Sequence, residues 1–162
     1  MGVAMIFVGY IQEAWPGNGG ENEQRQWKAK LFSEIMSQTD QVISALPEAD
    51  EWPPLSRGMF GWPPPGPSYF TYESRVIHFG ASMKNVDFVL RDWLDKFESL
   101  LRKLAWEEAY VRVEQGYIGP QEFRWTPSRK WIEDLKEGHV IPITEWEFTT
   151  TVSDLESLRE AR

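Results

Sequence analysis

Residues 85–115, NVDFVLRDWLDKFESLLRKLAWEEAYVRVEQ, change their hydrophobic period midway, and that change decides the fold class. Phe88, Trp93, Leu94, Phe97, Leu100, Leu101 and Leu104 recur at three- and four-residue spacing, the mark of one apolar helix face, and Asn85 supplies a cap for its start. From Trp106 the spacing becomes two. Trp106, Glu108, Tyr110, Arg112 and Glu114 alternate with Glu107, Ala109, Val111 and Val113, which predicts a half-buried strand ending at Gly116.

Toward the N-terminus, residues 2–11 (GVAMIFVGYI) mix β-branched and aromatic residues and stop at Pro16, Gly17, Asn18, Gly19 and Gly20, so they read as a buried strand and a glycine-rich turn. Over residues 24–46, Trp27, Leu31, Ile35, Val42 and Leu46, joined by Phe32, Met36 and Ile43, predict a second amphipathic helix that Pro47 closes. Residues 47–70 (PEADEWPPLSRGMFGWPPPGPSYF) hold prolines at 47, 53, 54, 63, 64, 65 and 67, a density that forbids a helix interior or a central strand, so a long loop is expected. Residues 69–80 return to strand composition.

Toward the C-terminus, a strand is expected over 122–126 after the Gly119-Pro120 turn. Thr126 and Pro127 then read as N-cap and first-turn proline of a short helix through Lys136, with Gly138 as its left-handed end. Residues 140–149 are strand-like, with Pro142 suiting an edge, and Ser153-x-x-Glu156 is a capping box opening a terminal helix to about Glu160. This order predicts one α+β domain over 1–162, a mostly antiparallel sheet with two long amphipathic helices packed on one face and short additional helices. Residues 2–11, 73–79 and 106–115 should share the sheet, and helices 24–46 and 85–104 should cover a common face, because no other element is long enough to bury their apolar stripes.

Composition narrows the function. A chain of 162 residues that is 41% hydrophobic and 26% charged is too apolar for a disordered tail and long enough to bury about 70% of its unfolded surface. It has no cysteine, which excludes disulfides and thiolate metal sites and suits a reducing compartment. The ten-residue apolar run at 2–11 is too short to span a bilayer and follows no basic residue, so a soluble, cytoplasmic protein without membrane association is expected. The net charge is −8; residues 1–74 carry nine acids against four bases, 75–105 four against six, and 106–162 twelve against seven. No basic patch exists to hold nucleic acid. The acidic surface reads either as a solubilising shell or as a field that steers a basic partner.

Catalytic signatures are sparse. Gly17-x-Gly19-Gly20 lies between a strand and a helix, where a phosphate cradle belongs, but position 22 is Asn22, no GK[ST] follows, and Glu21 and Glu23 place negative charge there; a plain turn is the simpler reading. His78 and His139 are too few for a histidine-rich site, and Glu133-Asp134-Leu135-Lys136 falls within a helix pattern. Glu107 and Glu108 should point to opposite strand faces, whereas Glu108 with Glu114, or Glu145 with Glu147, could share one. No GxSxG or HExxH element occurs, so no catalytic, cofactor-binding or metal residue is assigned and no cofactor is expected.

The aromatic content is unusual: nine Trp, nine Phe and five Tyr. Trp27, Phe32, Phe88, Trp93 and Phe97 lie at core spacing, and Trp106 opens a strand. Trp52, Met59, Phe60 and Trp62 instead fall in the proline-rich loop, with Asp50, Glu51 and Arg57 as polar neighbours. Either the loop folds back to cover the core or these seven residues form a partner-binding surface with an aromatic anchor and a charged rim.

Trp93-x-x-x-Phe97-x-x-Leu100-Leu101, Trp106-Glu-Glu-Ala, Phe123-x-Trp125, Glu145-Trp146 and Asp154-Leu-x-x-Leu158 together make residues 69–162 resemble the small, acidic, tryptophan-rich immunity proteins of bacterial polymorphic toxin systems, the immunity protein 52 family in particular. The resemblance implies an α+β protein encoded beside a toxin of restriction-endonuclease fold, often delivered by a type VI secretion system, that it neutralises by direct binding; it implies no catalytic residue. The expectation is therefore an immunity protein occluding a cognate toxin, a basic nuclease. The alternatives are an enzyme or small-molecule binder with a pocket under the 47–70 loop, and an acidic mobile-element inhibitor of a nucleic-acid-binding protein.

Overall fold

A computed structural model describes residues 4–17, 19–62, 74–84, 89–115, 120–127 and 148–150. Six strands, β1 (Ala4–Glu13), β2 (Phe60–Gly61), β3 (Val76–Lys84), β4 (Trp106–Gln115), β5 (Gln121–Pro127) and β6 (Phe148–Thr150), form one sheet in the order β2-β3-β1-β4-β5-β6. Every neighbouring pair is antiparallel. Among the described residues the helices are α1 (Asn22–Ser44) and α2 (Leu90–Leu101), and a 3-10 turn spans Arg57–Met59. The α+β class and the shared sheet of the three expected strands are as the sequence predicts. Because β3 and β4 both run antiparallel to the central β1, they are parallel to one another, and the connection between them carries α2.

The period of two sorts each strand into an inner and an outer face. Met5, Phe7 and Ile11 of β1, Ile77, Phe79 and Met83 of β3, Ala109, Val111 and Val113 of β4, and Phe123 and Trp125 of β5 are buried together. The intervening Ile6, Val8, Val76 and His78 are exposed. Gly9 lies on the inner side of β1 where a Cβ would strike Tyr110 O and the Phe79 ring, so glycine leaves the room that ring occupies.

Helix α2 places all of Trp93, Leu94, Phe97, Leu100 and Leu101 in this core, followed by Leu104 just beyond its end. The Phe97 ring stacks on Trp93 at 5.5 Å and 8°, and meets Phe79 at 5.2 Å and Trp125 at 5.1 Å. Indole N–H groups buried here keep partners: Trp93 Nε1 donates to Pro54 O (3.0 Å), Trp106 Nε1 to Leu101 O (2.9 Å) and Trp125 Nε1 to Glu98 Oε1 (3.2 Å). Helix α1 contributes less. It buries Ile35, Met36, Thr39 and Ile43, while Trp27, Leu31, Phe32 and Val42 stay half-exposed. Thr39 enters the apolar face because its Oγ1 donates to Ile35 O at 3.0 Å.

Several boundaries differ from the sequence expectation. α1 ends at Ser44 rather than at Leu46, and α2 begins at Leu90 with Val89 at its cap position, five residues after Asn85, which lies outside the described residues, as does Phe88. β3 begins at Val76 and runs on to Lys84. Thr126 and Pro127 belong to β5, where Pro127 closes the strand opposite Phe148, and are not the cap and first turn of a helix. A proline at a strand end removes no N–H the ladder requires. The helix expected through Lys136, His139, Pro142, Glu145, Glu147 and the capping box at Ser153 lie outside the described residues.

A bulge corrects the reading of Glu107 and Glu108. The β1–β4 register slips between Gln12 and Glu13, which face Glu108 and Trp106 respectively, so Glu107 is the extra residue. Trp106 thereby turns inward to join Ala109, and both carboxylates find partners beside the outer face: Glu107 accepts from Gln12 Nε2 (3.5 Å) and Trp15 N–H (2.9 Å), and Glu108 pairs with Arg124.

Candidate functional site

The loop that leaves α1 is pinned from several directions. The Asp50 carboxylate accepts from the backbone N–H of Glu51 and, through Oδ2, from that of Leu55, both at 2.9 Å, and from Lys96 Nζ of α2 at 2.8 Å. The Leu55 N–H first, and the Lys96 ammonium second, hold its pKa below the ordinary value of 3.8. Lys96 also donates to Glu51 O at 2.9 Å, and Trp93 ties down Pro54 from beneath. Arg57 donates to Ser44 O at 3.2 Å and pairs with Glu48. These bonds fix the backbone on both sides of the cis Trp52-Pro53 bond.

The structure divides the seven loop residues into three sets. Trp52 is 54% exposed and Glu51 beside it is exposed as well. Met59, Phe60 and Trp62 are half-buried and packed against the core. Phe60 lies 5.4 Å from the Phe79 ring, and Trp62 Nε1 donates to Asp40 Oδ1 of α1 at 2.7 Å. The short β2 accounts for this: pairing Phe60 with Phe79 and Gly61 with His78 draws the end of the loop onto the sheet edge. Asp50 and Arg57 serve chiefly as fasteners of the loop. The loop folds back to cover the core over 59–62, whereas Trp52 stays exposed to solvent.

A cleft of about 550 Å³ opens between the C-terminal end of α1, the start of this loop and α2. The sequence suggests a pocket under the loop in general terms but does not identify Lys96 and Ser99 of its α2 wall or Lys103 just beyond that helix. No local signal marks them, since they lie about fifty residues from the loop they face. The Asp50 and Asp95 carboxylates in the cleft are engaged, Asp95 with Arg91 at 2.9 Å.

On the outer face of the sheet, Tyr10 and Tyr110 stack at 5.5 Å with Arg124 over the Tyr110 ring. Burial first, then a hydrogen bond to Glu122, raises the Tyr110 pKa. Glu108 and Glu114 do share this face, but each pairs with an arginine, Arg124 and Arg112 respectively. His78 is exposed there against Gly61. In the glycine turn, Arg25 Nε and Lys28 Nζ donate to Gly20 O and Gly19 O, and Gly20 has φ +104°, so both cations and backbone serve the turn. Among the described residues no group of three or more His, Asp or Glu side chains stands close enough to hold a metal ion, and no helix is long and apolar enough to cross a membrane. The chain matches no known protein family, no curated protein and no solved structure.

Proposed function

We propose that this protein is an immunity protein that binds a cognate toxin, a nuclease with a basic cleft, and neutralises it by occlusion. The observation that carries the reading is Trp52, a large aromatic exposed on a loop whose backbone is held by Asp50, Lys96, Trp93 and Arg57. A ring presented on a fixed backbone loses little conformational entropy on association, and Trp is among the commonest hot-spot residues of protein interfaces. The exposed Glu51 beside it and the net charge of −8 suit a partner whose active site attracts phosphate, since complementary charge speeds encounter while the desolvated ring slows dissociation.

The test is co-expression with the product of the neighbouring gene. A toxic product whose lethality this chain relieves, with relief lost on Trp52→Ala at unchanged melting temperature, is the expected result. A neighbour that is harmless, or a toxicity that this chain leaves intact, defeats the reading.

A further inference from the structure

We propose that the cleft between the end of α1, the loop and α2 binds a small amphiphilic carboxylate, with Lys103 as the anion contact. Its volume of about 550 Å³ falls within the roughly 300–1,000 Å³ of small-ligand clefts. The apolar lining comes from Val42, Ala45, Leu46, Pro47, Leu55 and Leu100, of which Leu55 and Leu100 are buried in the core and form a fixed floor. The rim is pre-shaped by the bonds that Asp50 makes to the loop and to Lys96, so a ligand meets a formed site.

The polar lining decides the ligand class. Asp50 and Lys96 neutralise one another, Asp95 is paired with Arg91, and Ser99 Oγ donates to Asp95 O at 2.9 Å. Lys103 is the charged lining residue whose ammonium makes no ion pair or hydrogen bond among the described residues. An apolar body therefore suits the walls, and a single negative charge suits the one uncommitted cation. A dianion such as a phosphate monoester is disfavoured because Lys96 is already spent on Asp50 and the Asp50 and Asp95 carboxylates would repel the second charge. A cationic amphiphile would meet the Lys103 ammonium.

Calorimetric titration of the full chain with decanoate below its micelle concentration, with decan-1-ol as the uncharged counterpart, tests the site. Decanoate is expected to bind one per chain and about tenfold tighter than decan-1-ol, the increment of one charge-assisted hydrogen bond. Lys103→Gln should abolish that preference and leave decan-1-ol binding unchanged. Ala45→Phe, at an exposed lining position, should fill the cleft and weaken both ligands at least about tenfold at unchanged melting temperature. Should Ala45→Phe lower the melting temperature, Ser99→Phe on the opposite, equally exposed wall replaces it. Absence of decanoate binding, equal affinity for acid and alcohol, or a decanoate affinity unmoved by Lys103→Gln or by the filling variant overturns the proposal.

Discussion

Arg75 grips Glu13 side-on, Nε to Oε1 at 2.6 Å and Nη2 to Oε2 at 2.9 Å, with both side chains only 1% exposed. The same guanidinium donates to Met36 O and to Asp40 Oδ1, each at 3.0 Å, and that Asp40 oxygen also receives Trp62 Nε1. Arg75 thus ties the end of β1 to the C-terminal half of α1, and Asp40 joins Trp62 of the proline-rich loop to the same cluster. Burial pulls the Arg75 pKa down, but Glu13 and then Asp40 outweigh it, so the net shift is upward and the guanidinium stays charged. Arg75→Met should destabilise the fold by about 3–5 kcal/mol, because it leaves the Glu13 carboxylate buried without its partner. The double variant Glu13→Leu with Arg75→Met should lose less than either single one. Urea unfolding of all four proteins measures this, and strictly additive losses would show that the two groups do not act as a unit.

Phe97 touches Trp93 of its own helix and Phe79 and Trp125 of the sheet, and so joins α2 to β3 and β5. Phe97→Ala should cost about 3–5 kcal/mol, since the packed aromatic wall cannot collapse into the space. A loss under about 1 kcal/mol in chemical unfolding would contradict the packing described.

Trp52 and Trp62 should respond oppositely. Trp52→Ala should change stability by less than about 0.5 kcal/mol and, on the proposed function, weaken partner binding by at least about 2 kcal/mol. Trp62→Ala should destabilise the protein by about 3 kcal/mol, because it removes a ring packed on the core and the hydrogen bond to Asp40. Melting temperature and partner affinity measured on one preparation distinguish the two, and a Trp52→Ala protein with full affinity would remove Trp52 from the interface.

Asp50 makes the loop sensitive to acid. Its pKa is lowered in the folded protein, so its carboxylate contributes stability that is fully present above the ordinary value of 3.8 and lost as pH falls through the lower folded value. Asp50→Asn should therefore be less stable than the parent by a constant margin above about pH 5, and the margin should shrink as the pH drops below about 4. Urea unfolding at several pH values checks the sign; a margin that widens toward acid would contradict it.

Much of the scaffold was legible because it rests on periodicity. The α2 stripe from Trp93 to Leu104 and the alternation in β4 each state in one dimension which side chains leave water, and both are buried as expected. The apolar run of β1, expected as a buried strand, instead sends only Met5, Phe7 and Ile11 inward and leaves Ile6 and Val8 exposed. The stripe of α1 is weaker: Trp27 and Phe32 fit the spacing but remain half-exposed, whereas Thr39, polar but four residues from both Ile35 and Ile43, is buried with its hydroxyl bonded to Ile35 O. The Thr126-Pro127 pair reads as a helix start from local propensity, but strand pairing with Phe148 overrides it. In the candidate site, the loop and its aromatic residues were visible in the sequence, but their division between core and surface was not.

By itself the sequence determined the α+β class, the strand character of the three segments that share the sheet, the apolar face of α2 and the acidic charge, since all of these follow from residue spacing and composition. Only the tertiary structure decided that Trp62 is held inward by Asp40 while Trp52 faces solvent, that a bulge brings Glu107 and Glu108 to the same side, and that Lys103 stands on the rim of a cleft with Val42 and Leu55. The physical reason is distance along the chain: periodicity reports which groups avoid water, whereas pairing between residues tens of positions apart depends on register and on which buried polar group finds which partner, and neither is written in local spacing.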